Sequence, residues 1–220
     1  AFNFKQKIVA GIMAFGAGTL ICALTFGLME EAFGHGGFDA VIIGFVLGGI
    51  VFIVGDYLIH KVGGRKHKPH YQAKSEAPSD GGAITLGAIM DAIPESIALG
   101  VSLAIGKGLA ILMLVAIVLN NIPESISSVA GLKNQGFSKT KMILMWLIVA
   151  ILVILLTTFS YLFLRYLNFN ILGVIEAFAA GAILAMLADT MMPEAYEEGG
   201  FIIGFVTVLG FLTAFIITRF

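Results

Sequence analysis

The chain has 220 residues, of which 59% are hydrophobic and 12% charged, with a mean hydropathy of +0.99 and a net charge of −1. Soluble domains carry about 25% charged residues, so a water-soluble globule is excluded, and the lack of alternating ten-residue segments excludes a membrane barrel. The single cysteine, Cys22, excludes an intrachain disulfide and metal sites of the Cys-x-x-Cys type.

The class that remains is all-α: a polytopic membrane helix bundle forming one transmembrane domain over residues 1–220. About 20 apolar residues cross a bilayer. Hydropathy divides the chain into seven such spans, 8–29, 38–60, 84–106, 108–132, 141–165, 170–193 and 200–218, and no signal-peptide pattern precedes them.

The first span runs into Glu30, Glu31, His35 and Asp39, a rim that either attracts cations or is simply a wet loop. The second carries Asp56 and His60 near its end. Residues 61–83, rich in Gly, Pro, Ser, Lys and His, are expected to form a flexible cytoplasmic loop. His60, His67 and His70 fall within eleven residues, the pattern of a weak metal site or of an ordinary basic loop.

The third and fourth spans carry nearly the same polar cassette, Asp91-Ala92-Ile93-Pro94-Glu95-Ser96 and Asn120-Asn121-Ile122-Pro123-Glu124-Ser125. A carboxylate at membrane depth costs about 2.5–3.5 kcal/mol on insertion scales. Asp91 and Glu95 are four residues apart and share a helix face, as do Asn120 and Glu124. Pro94 cannot donate to the carbonyl of Met90, nor Pro123 to that of Leu119, so each cassette also frees an oxygen. A very short turn at 106–108 makes the two helices antiparallel neighbours. Facing Pro-Glu turns would gather carboxylates, amides and carbonyls into one pocket, a donor set suited to a cation. The alternative is a pair of kinked helices whose acids are protonated and bonded to neighbours. The methionines read mostly as packing, Met90 being the one placed to lend sulfur.

The fifth span, 141–165, has no acid. The sixth ends on Asp189 and Glu194 with Pro193 between them, an exit or relay station for a cation or a solvated helix end. Acids in or at the ends of spans are Asp56, Asp91, Glu95, Glu124, Glu176 and Asp189, and no lysine or arginine lies deep in any span. Such acids need a proton or a cation that is not part of the chain.

With residue 1 in the cytoplasm, ten basic residues lie inside and three outside, which fixes the orientation. Residues 14–32 match residues 177–195 at eight of nineteen positions without gaps, and IIGFV at 42–46 recurs at 202–206. The copies then run in opposite directions, an inverted repeat of the kind common in transporters. The second copy is preceded by the helix 141–165 and the first has no such partner, so one helix upstream of residue 1 is expected to be missing from this chain. The full bundle would be eight helices, three plus two plus three.

On these residues the chain resembles the Zrt/Irt-like (ZIP) family of divalent metal transporters, as a divergent member. The resemblance implies eight spans in three-two-three order, with the first span here matching the family's second. The two Pro-Glu cassettes occupy the places of the family's metal-binding motifs, and Asp189 with Pro193-Glu194 looks like its His-Glu and Pro-Glu positions. Asp91 stands where the family has histidine, Ala92 where it has asparagine, and Ser96 where it has glycine. One principal site is expected from Asp91, Glu95, Asn120 and Glu124 with Asn121 as a fifth donor, and Asp189 and Glu194 as further metal-binding positions at its exit or relay; its oxygen donors suit harder ions such as Mn²⁺.

The expected function is transport of divalent cations of the Mn, Fe, Zn or Cd class, as substrate rather than cofactor, across the cell (inner) membrane and without enzymatic chemistry. The expected partners are metal ions, the bilayer and a second copy of the chain, with no nucleic acid. A metal sensor or scaffold is the alternative. An intramembrane aspartyl protease using Asp91 and Asp189 lacks its Gly-x-Gly-Asp pattern.

Overall fold

A computed structural model of the chain describes residues 6–61, 81–105, 107–164 and 166–218, which are helical almost throughout, with no strand among them. His67 and His70 lie outside the described residues. Helix α1 (Gln6–Ala23) passes through a π-helical turn, Leu24–Leu28, into α2 (Met29–Lys61). Helices α3 (Gly81–Ile105), α4 (Lys107–Asn134) and α5 (Lys139–Leu164) come next. Helix α6 (Phe169–Met186) passes through a second π-helical turn, Leu187–Met191, into α7 (Met192–Gly199), and α8 (Ile202–Ile217) closes the order.

Five helical stretches are long and apolar enough to cross a membrane: Lys7–Ile59, Thr85–Ala104, Leu109–Ile126, Lys139–Leu164 and Phe169–Gly199. Ile202–Thr218 is a shorter apolar helix. The first stretch is broken at Gly37, whose φ of 65° and ψ of −164° are non-helical. Helix α6 starts sharply because the Asn168 side chain accepts the Ile171 N–H at 3.0 Å.

The outer surface is apolar, unlike that of a water-soluble protein. Small residues such as Ala14, Ala17, Ala177, Ala179 and Ala180 share the interior with Leu20, Met113 and Ile183, while Ile143, Ile154, Leu155, Phe205 and Val208 point outward. Water would penalise that surface; lipid does not, and it leaves close packing of small residues to hold the helices together. The main helix pairs are α2 on α6, α1 on α8, α3 on α5 and α4, and α1 on α4. Two of these pairs are built alike. Gly48 lies against the Phe178 carbonyl between α2 and α6, and Gly210 lies against the Phe15 carbonyl between α8 and α1. In the same way Gly181 meets the Phe45 carbonyl and Gly18 the Thr207 carbonyl.

The two helical stretches also break their regularity at matching places. The π-helical turns Leu24–Leu28 and Leu187–Met191 are 163 residues apart, as are the left-handed glycines Gly37 and Gly200. That is the offset of the 14–32 and 177–195 match. The IIGFV echo has an offset of 160, but the reciprocal contacts pair Gly48 with Gly210 and Phe45 with Thr207, an offset of 162. The echo is therefore two residues out of structural register. Side chains facing a neighbouring helix set the register, and the IIGFV letters are not all among them.

Candidate cation cavity

Both prolines lie within continuous helices, Pro94 in α3 and Pro123 in α4. The antiparallel pairing brings the cassettes face to face, and their first direct product is a set of side-chain hydrogen bonds. Asn120 Nδ2 donates to Glu95 Oε1 at 2.7 Å, and Asn121 Nδ2 donates to Glu95 Oε2 at 3.0 Å. Glu95 is 2% exposed. Its carboxylate is thus held by amides of the neighbouring helix, and the two cassettes are cross-braced. Ser96 caps the arrangement by donating to the Ala92 carbonyl at 2.7 Å.

A small cavity of about 10 Å³, room for about one water-sized sphere, lies beside this brace. It is lined by Asp91 of α3, Asn120 and Glu124 of α4, Glu194 of α7, Thr190 of the second π-helical turn, and the methionines Met13, Met186 and Met191. Asp91 is buried at 5% exposure, and Glu124 and Glu194 are half-buried. Asn120 is 1% exposed, and its Oδ1 receives no hydrogen bond. A buried carbonyl oxygen without a donor is uncommon, and this one belongs to a residue of the cavity wall.

Local structure explains why these groups converge. At Gly16 of α1 an added methyl group would lie 3.1 Å from the Asn120 backbone nitrogen, so a glycine there lets α1 approach α4 closely, one turn from Met13. The π-helical turn inserts an extra residue into the helix and so re-aims the side chains beyond it. Thr190 faces inward and donates to the Met186 carbonyl at 2.7 Å, while its neighbour Asp189 is exposed.

Of the residues expected from sequence, the structure brings Asp91, Asn120, Glu124 and Glu194 to one cavity. Glu95 and Asn121 bond to each other in the brace and are not in its lining, and Asp189 is on the exposed side of its turn. The aspartates of the protease reading thus stand in different settings, one lining the cavity and one exposed. Met90 does not lend its sulfur to the lining; its terminal methyl packs on Gly55 of α2. Sequence reasoning treated Met186 and Met191 as packing and passed over Met13 and Thr190. Nothing in the apolar pattern sets these residues apart, because the π-helical turn that aims Thr190 and Met191 leaves no mark on it.

The lining holds three carboxylates and an amide oxygen and has no lysine or arginine, a set that favours positive charge. The carboxylates ring the space without closing on one point: among the described residues no three His, Cys, Asp or Glu side chains stand close enough together to hold a metal ion. Comparison with models of known protein families gives no match, and comparison with curated proteins gives none.

Proposed function

We infer that the chain is a membrane transporter of divalent metal cations, of the Mn, Fe, Zn or Cd class, with the cavity as its ion-binding chamber. The observation that carries the reading is the meeting of the Asp91, Glu124 and Glu194 carboxylates with the undonated Asn120 oxygen in one space. Oxygen ligands of this kind suit hard and borderline divalent ions. A wide ring of carboxylates also fits a carrier better than a storage site, because an ion held at once by every ligand leaves slowly.

The finer architecture belongs to the same reading. Dividing the long first stretch at Gly37 and counting Ile202–Thr218 as a span supports seven spans in the manner of a three-plus-two-plus-three bundle. The shared π-helical turns and left-handed glycines support two copies of one unit. The basic residues orient those copies in opposite directions, in the cell (inner) membrane. The resemblance to the Zrt/Irt-like family points the same way.

Uptake of radiolabelled Mn²⁺, Fe²⁺, Zn²⁺, Cd²⁺ and Co²⁺ into proteoliposomes holding the purified chain tests the function. The expected result is saturable uptake of at least one ion, reduced to background by Glu124→Ala. Binding of metal without uptake of any ion would replace transport with sensing.

A further inference from the structure

The internal correspondence names the residues that stand, in the other copy, where the cavity lining stands in this one. At an offset of 163, the lining residues Met13, Met186, Thr190, Met191 and Glu194 correspond to Glu176, Ala23, Gly27, Leu28 and Glu31. That second set is closed. The Leu109 side chain lies against Gly27, and Ala23, Leu28 and Glu176 are each 0% exposed.

Glu176 stands out in this set. Its Oε2 is 2.9 Å from Nδ1 of His35, which comes from α2 and is 141 residues away in sequence. Its Oε1 is buried and has no hydrogen-bond partner. The imidazole is 18% exposed and stacks on Phe169 at the start of α6, ring centroids 5.4 Å apart. At the equivalent places of the other interface stand Met13 in place of Glu176 and the exposed Glu198 in place of His35. One position in the repeated unit thus carries a polar tie where the set is closed and a thioether where it lines the cavity.

We propose that His35 and Glu176 form a proton-binding latch that holds the second set closed. With one proton between them the pair is joined by a charge-assisted hydrogen bond across α2 and α6. A second proton converts Glu176 to a neutral acid, removes the attraction and frees α2 from α6 at this point. The glycine contacts in this interface, such as Gly48 on the Phe178 carbonyl and Gly173 on the Ala32 carbonyl, carry no charge. Histidine is the side chain whose charge changes near neutral pH, and it is the exposed member of the pair, so protons enter through it. Among the described residues Glu30, Glu31 and Asp39 stand near the pair on α2, and Glu31 acts directly on Glu176; α3, which packs on α6, carries Asp91 and Glu95. These described groups are acidic, so they favour arrival of protons.

The test uses a single reporter thiol, Leu28→Cys with Cys22→Ala, in the full chain in lipid nanodiscs. Its modification by a water-soluble thiol reagent is divided at each pH by that of an exposed control, Glu30→Cys with Cys22→Ala. The expected ratio is low at pH 7 and rises several-fold toward pH 5. Glu176→Gln should raise it several-fold at pH 7 and flatten its pH dependence. His35→Gln, which keeps a hydrogen-bond donor without the charge, should raise it at pH 7 as well and serves alone if Glu176→Gln does not fold. A ratio that is flat from pH 5 to 7 and unmoved by the substitutions overturns the latch. None of these readouts requires metal, so they stand or fall apart from transport.

Discussion

Glu95 and Glu124 have the same place in their cassettes and different work. Glu95 accepts both cassette amides, so Glu95→Ala should leave the Asn120 and Asn121 donors without a partner at a cost of about 1–3 kcal/mol, read as an earlier thermal midpoint in detergent. Glu124 lines the cavity, half-buried. Glu124→Ala should hold the midpoint near the parent's while uptake falls to background; equal losses of stability in the two variants would erase the distinction. Asp91→His tests selectivity. Imidazole suits zinc better and carboxylate suits manganese, so competition uptake should show a higher Zn/Mn ratio in the variant. An unchanged ratio would mean that Asp91 does not touch the ion. The cassette residues were legible in sequence because acids and prolines at membrane depth are costly. The pairing of His35 with Glu176 was not, because Glu176 lies close to the end of its span and only the seating of α2 on α6 buries it.

Helix positions in this protein depend on where backbones touch. A side chain at Gly48 would run into the Phe178 carbonyl, whereas one at Gly204 would meet nothing within 4 Å. Gly48→Ala should therefore destabilise the fold by about 1–3 kcal/mol as overpacking does. Gly204→Ala should be neutral or stabilise by about 0.5–1 kcal/mol through helix propensity. Thermal unfolding monitored by circular dichroism compares them, and equal effects would contradict the packing described. The existence of these helices was plain from hydropathy. The two π-helical turns were not, since one inserted residue in a helix leaves no mark on an apolar pattern; only their matching positions, Leu24–Leu28 and Leu187–Met191, reveal them.

For the whole molecule the prediction is orientation. Ten of thirteen basic residues fall on one side of the assigned spans, which places Glu198 on the cytoplasmic face and Glu30 on the opposite face. In a Cys22→Ala background, Glu198→Cys should react with an impermeant thiol reagent only from the cytoplasmic side and Glu30→Cys only from the other. Both positions are exposed, so failure to react would not be a matter of burial. The reverse pattern would invert the topology.

By itself the sequence determined the helical membrane class, the cassettes and the repeat between 14–32 and 177–195, because each rests on local chemistry: apolar length, costly buried charge, recurring letters. The tertiary structure decided which of those residues share a space. Glu194 lines one cavity with Asp91, Asn120 and Glu124, while Glu95 accepts from the cassette amides outside that lining and Asp189 is exposed. It also corrected the second repeat register, from the IIGFV echo to the pairing of Gly48 with Gly210. The reason is geometric. A helix's letters say which faces are apolar, but the rotation imposed by a π-helical turn and the approach allowed by a glycine select which side chain reaches the cavity, and both depend on contacts between residues far apart in the chain.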